Sequence, residues 1–191
     1  MKKIMELVGE SSVPNKKPVS WGGVEKSLGL FLPEDYKSLV SEYFTFNLGP
    51  ISLVSPRPGT PGDQGLLEAT QESEEIFTDL YVENPAEIAE PHRQDGSPLG
   101  GHFYVFNFYP KVPGLLKWGK DYNGSDFYWY VNGPPSEWTI VAQAREGWWD
   151  EHKMSVSAYL YGLVSGEVEC DVVAQSFDCD KKFVEWPWPT D

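Results

Sequence analysis

Apolar positions recur with helical spacing near both ends of the chain and with strand spacing in the middle. A first amphipathic segment runs from about Ser20 to Leu28, with Ser20 as its N-cap. A second opens at Leu32-Pro33-Glu34-Asp35, with Pro33 in the first turn and two acids at the positive helix end. Tyr36, Leu39, Val40 and Tyr43 follow at i, i+3, i+4 and i+7, one helical face. Asn47-Leu48-Gly49-Pro50 stops that helix, and Ile51–Ser55 reads as a short strand. Beyond a Pro- and Gly-rich loop at 56–65, a third helix spans Leu66 to about Val82. Leu66, Thr70, Phe77, Leu80 and Tyr81 fall near one side of it, and Glu68, Glu72, Glu74, Glu75 and Asp79 on the other.

A second loop, 84–101, holds three prolines, and the pattern then turns to strands. His102–Tyr109 is apolar on both faces, as in a strand covered on two sides. Leu115–Gly119 and Phe127–Val131 flank Asn123-Gly124, a type I′ hairpin signal. Asn132-Gly133-Pro134-Pro135 makes the next turn, Trp138–Gln143 a further strand, and Gly147-Trp148-Trp149 the start of another. Ser155 caps a final helix with Val156, Tyr159, Leu160, Leu163 and Val164 on one stripe, ending at Gly166. No repeat and no second hydrophobic nucleus interrupts the pattern. The expectation is a single α+β domain over 1–191, with its core at about 20–166 and an extended tail at 167–191. A central antiparallel sheet would carry N-terminal helices and a C-terminal helix packed on it.

Composition adds that the core needs no staple: 40% of the 191 residues are hydrophobic and 15% aromatic. Charge changes the picture more. The net charge is −14, and it is concentrated. Residues 63–95 hold ten acids against Arg93 alone, a net −9, and residues 146–191 hold ten acids against three bases, a net −7. Such a surface excludes nucleic acid and anionic membranes as direct partners and complements a basic protein. The opening MKKIMELVGE has too short an apolar stretch for a signal peptide, and no run reaches the ~18 apolar residues of a spanning helix. Cys170 and Cys179 match no CxxC motif; they read as two reduced thiols, with one disulfide as the alternative. The expected location is the cytoplasm.

The chemical motifs thin out on inspection. His92, His102 and His152 lie far apart without metal-ligand spacing, so neither a metal nor a cofactor is expected. Gly162-Leu163-Val164-Ser165-Gly166 places its serine one position late for a nucleophile elbow. Asp121, Asn123 and Asp126 fail the calcium-loop pattern, with Gly124 at the fourth position instead of the sixth. Trp118, Trp129 and Trp138 belong to strand patterns and to the core. Trp148 and Trp149 are adjacent, so one points inward and the other outward in a strand. Trp186 and Trp188, alternating with prolines, either dock on the domain or stay free.

Taken in order, the Trp21 helix, Leu32-Pro33-Glu34-Asp35-Tyr36-Lys37, Tyr43, Gly49, Trp118-Gly119, the Asn123-Gly124 turn, Phe127-Tyr128-Trp129, Trp138 and Tyr159-Leu160 form a pattern. Over roughly residues 20–166 it resembles the SUKH superfamily, which includes fungal cell-wall-assembly regulators and bacterial immunity proteins of polymorphic toxin systems. The resemblance implies a non-enzymatic domain that binds and neutralises a cognate toxin, often a nuclease. The loops at 56–65 and 84–101 and the long tail depart from the shorter family pattern.

Charge and resemblance together set the functional expectation: a cytoplasmic immunity protein, monomeric when free, that occludes a basic toxin domain. Glu72, Glu74, Glu75 and Asp79 of the third helix, with Asp178 and Asp180, would replace the phosphates a nuclease groove expects, while Trp148 and Trp149 serve as anchors. Eight tryptophans beside many acids support an alternative, a carbohydrate-binding or glycoside-hydrolysing protein. An intracellular scaffold or regulator of the same fold is the third reading.

Overall fold

The computed structural model describes residues 1–57, 65–81, 106–145, 149–173 and 182–185. In chain order these form α1 (Lys2–Val8), α2 (Trp21–Leu28), α3 (Glu34–Glu42), β1 (Asn47–Leu48), β2 (Ile51–Leu53), α4 (Leu66–Tyr81), β3 (Gly114–Asp121), β4 (Asp126–Val131), β5 (Thr139–Gln143), β6 (Trp149–His152), α5 (Val156–Ser165) and β7 (Phe183–Val184). The described strands make one antiparallel sheet in the order β6-β5-β4-β3-β2-β1-β7. The fold is therefore α+β, a central antiparallel sheet with helices packed on it.

Strand periodicity divides the core in two, because successive side chains point to opposite faces. Leu116, Trp118, Phe127, Trp129, Ile140 and Ala142 share one face with Tyr36 of α3 and Tyr159 and Leu160 of α5. Their neighbours Leu115, Tyr128, Val141 and Trp149 share the other with Phe108 and Phe77 of α4. Aromatic edges lock both layers: Tyr36 meets Trp129 at 4.8 Å and 90°, and Phe77 meets Trp149 at 5.7 Å and 62°. Gly114 enters β3 where a Cβ would lie 2.2 Å from the Lys111 carbonyl oxygen, so only glycine fits that turn.

Most long periodic segments form as their pattern predicts. The third and last helices are α4 and α5, and Ser155 caps α5 by accepting from the Ala158 N–H at 3.3 Å. Several details differ. Ser20 precedes α2 without a side-chain capping bond, and Pro33 stands before α3 with extended backbone (φ −58, ψ 133) instead of inside its first turn. Tyr43 has already left the helix, at φ −103 and ψ 142, yet stays buried and donates to the Gly9 carbonyl at 2.5 Å. Asn47-Leu48 lies beyond the end of α3 at Glu42 and does not stop it; it forms the strand β1. It pairs with β2 across Gly49-Pro50, and Gly49 at φ 57 supplies the left-handed turn position.

The Asn123-Gly124 hairpin is not type I′. Gly124 has φ 93, but Asn123 keeps a negative φ. The loop is Tyr122-Asn123-Gly124, closed by the Asp121 N–H donating to Ser125 at 2.9 Å, with Asp121 Oδ1 accepting from the Asn123 and Ser125 N–H groups at 2.8 Å. The carboxylate turn competes successfully with the two-residue loop. Of the expected strand His102–Tyr109, residues 106–109 are not a strand, with Phe108 forming a single bridge to Leu115, and residues 102–105 lie outside the described residues. So do most of the loop at 56–65, all of 84–101, and tail residues 174–181 and 186–191.

Besides β1, two elements were not expected. α1 forms at the start and docks through fully buried Ile4, and β7 adds to the β1 edge. Among the described residues no helix is long and apolar enough to cross a membrane.

Candidate functional site

α4 owes its amphipathic character to its buried side, Leu66, Ala69, Thr70, Ser73 and Phe77. Thr70 Oγ1 accepts from the Lys117 N–H at 2.9 Å, and Ser73 Oγ donates to Asp126 Oδ2 at 2.8 Å. Buried Lys117 spans the same junction, 2.6 Å from Asp126 Oδ1, so the charge that the sheet buries is matched.

The opposite side of α4 is exposed and acidic. Glu68, Glu72, Glu75 and Asp79 follow at spacings of four, three and four, which stacks them in one stripe about 16 Å long. Ile76, 52% exposed, stands beside the stripe, four residues after Glu72 and three before Asp79. Glu74 leaves it. Its side chain is half-buried and lies 3.8 Å from Lys111, so its charge is partly answered within the fold.

The remaining expected contact residues fare differently. Trp149 is 4% exposed, wedged among Phe77, Phe106 and Tyr128. It is the inward member of its pair and cannot serve as a surface anchor. Trp148, Asp178 and Asp180 lie outside the described residues, as do His92 and His102. Trp118, Trp129 and Trp138 are core residues as expected, and Trp21, half-buried, donates to Ser41 Oγ at 3.0 Å. Among the described residues no tryptophan presents an exposed ring for stacking on a sugar. The exposed apolar residue that charge counting missed is Ile76. Its signal was present, since it is a large aliphatic residue off the buried stripe of α4.

A cleft of about 850 Å³ opens elsewhere, between the N-termini of α3 and α5 and the β4–β5 turn. Trp129, Trp138, Pro135 and Met154 line it, and Phe31, 73% exposed, stands at its rim. Asp35 helps to hold its wall by accepting from the Ser157 N–H at 2.8 Å.

Inside the α5 layer three side chains of metal-ligand type converge. Asp150 and His152 lie two residues apart on β6 and so share a face. His152 Nε2 is 2.8 Å from Asp150 Oδ2, and one donor atom each of Asp150, His152 and Cys170 lie within 4.8 Å of one another. The Tyr159 hydroxyl donates to Cys170 Sγ at 3.2 Å. Burial, with the negative charge of Asp150, pushes the Cys170 thiol up to about 12. Linear spacing gives His152 no ligand neighbours, and the fold places Asp150 and Cys170 beside it.

Comparison with family models, curated proteins and solved structures returns no match.

Proposed function

We propose that this protein is an immunity-type binding protein of the SUKH kind, which neutralises a cognate basic toxin domain by covering its substrate groove. The observation that supports this reading is the outer face of α4. Its stripe places three like-charged pairs at i,i+3 or i,i+4, and each pair costs an isolated helix about 0.2–0.5 kcal/mol. Asp79 also sits near the C-terminal end, where the helix dipole favours a cation. A surface that opposes its own helix is suited to a partner of opposite charge.

The stripe would speed encounter with a basic groove, and Ile76 would supply buried contact area once docked. Glu72, Glu75 and Asp79 are the contact acids on this reading, with Glu68 extending the stripe. Glu74 contributes less, because Lys111 already faces it.

The test is protection in cells. The chain is co-expressed with each toxin-like domain that sequencing of the reading frames beside its gene identifies. Wild type should restore growth, and the triple variant Glu72→Lys/Glu75→Lys/Asp79→Lys should lose protection while keeping a wild-type circular dichroism spectrum. Full protection by the folded triple variant would contradict the assignment of the face.

A further inference from the structure

We propose that Asp150, His152 and Cys170 bind a divalent zinc-type cation that ties the chain after α5 to strand β6. The reasoning starts from donor chemistry. A carboxylate oxygen, an imidazole nitrogen and a thiolate sulfur are the three ligand types that Zn²⁺ accepts, at about 2.0–2.3 Å. A tetrahedral ion with such bonds separates its ligands by roughly 3.3–3.6 Å. The three donor atoms already lie within 4.8 Å of one another, so small side-chain rotations bring them to that spacing.

Burial sharpens the choice. Asp150 is 6% exposed and Cys170 2%, and His152 retains only a narrow edge to solvent. A buried carboxylate is costly without a compensating charge, and a cation is its natural complement. A bound divalent ion would release the thiol proton to solvent and hold the sulfur as thiolate.

The site is structural in kind. Asp150 and Cys170 are buried, and the 850 Å³ cleft is lined by other residues. The Tyr159 hydroxyl, which donates to the sulfur at 3.2 Å, would go on donating to the bound thiolate and fix its orientation. Local backbone geometry delivers the cysteine: α5 ends at Gly166 in left-handed conformation, and the Val168 N–H returns to the Gly162 carbonyl at 3.0 Å.

The experiment is a cobalt titration of metal-depleted full-length protein, followed by zinc competition. One equivalent of Co²⁺ should give intense visible bands of four-coordinate cobalt and a near-ultraviolet thiolate-to-cobalt band, and Zn²⁺ should abolish both. Because the chain has two cysteines, Cys179→Ser must keep the thiolate band if Cys170 is the ligand. Asp150→Asn and His152→Gln should weaken cobalt binding at least tenfold. Zinc should also raise the melting temperature of wild type. Absence of the thiolate band in wild type, or its loss in Cys179→Ser, would overturn the proposal and leave the cluster a hydrogen-bonded knot.

Discussion

Arg57 shows how much one residue inside a turn-rich segment can hold. It is 1% exposed, and its guanidinium donates to the carbonyls of Lys17, Val40, Ser41 and Tyr43. Those of Val40 and Ser41 belong to the last turn of α3, where helix carbonyls lack partners of their own. Arg57→Ala should cost roughly 3 kcal/mol or more, since it strands several buried acceptors together. Arg57→Lys should recover less than half of that, because an ammonium cannot reproduce the planar fork. Chemical denaturation of the two variants checks both values. Glu185 acts similarly from the far end of the chain, accepting from the N–H groups of Ser12 and Phe44 and from the Ser11 hydroxyl. Burial pushes its carboxyl up, but those hydrogen bonds, with Lys16 nearby, leave it below the usual 4.5. A depressed folded value means stability present at neutral pH and lost as pH falls through that value. Glu185→Gln should therefore melt below wild type at pH 7, and the gap should close under acid. A gap that is constant from pH 7 to pH 3 would contradict this.

Elements were legible where periodicity persisted. α4 and α5 show helical spacing over 16 and 10 residues, and β4 and β5 carry apolar residues between clear turn signals. α1 was not legible, because its stability comes from the tertiary contacts of Ile4 and not from its own short pattern. β1 holds two residues and pairs locally with β2, whereas β7, also two residues, is a strand only through its pairing with β1, Val184 with Asn47 and Phe183 with Leu48. No local window contains both partners. The acidic side of α4 was legible in outline, but its inventory needed three dimensions. Turning Glu74 toward Lys111 and burying Trp149 are matters of packing angle, which composition does not encode. One consequence belongs to this scale. If the stripe opposes its own helix, Glu72→Gln/Glu75→Gln should raise stability by about 0.5 kcal/mol in low salt while weakening binding of the partner. Thermal melts at two ionic strengths, set beside binding, would reveal that exchange.

At the scale of the whole molecule the charge divides between layers. α4 lies on the Trp149 face of the sheet, whereas exposed Glu167, Glu169 and Asp171 follow α5 on the opposite face. Glu167, Glu169 and Asp171 therefore do not extend the α4 stripe, and a partner docked on α4 would feel them only as a distant field, whereas Glu151, two residues from Trp149 on β6, projects on the α4 side. This concentrates the binding hypothesis on one helix and makes it sharply testable. The deciding measurement is the association rate of the wild-type chain with the basic toxin domain as a function of ionic strength, repeated for Glu72→Lys/Glu75→Lys/Asp79→Lys. Steering by the stripe predicts a wild-type rate that falls steeply with salt, at least tenfold from low to physiological ionic strength, and a variant rate that is slow throughout. Equal rates for the two proteins, unchanged by salt, would contradict it.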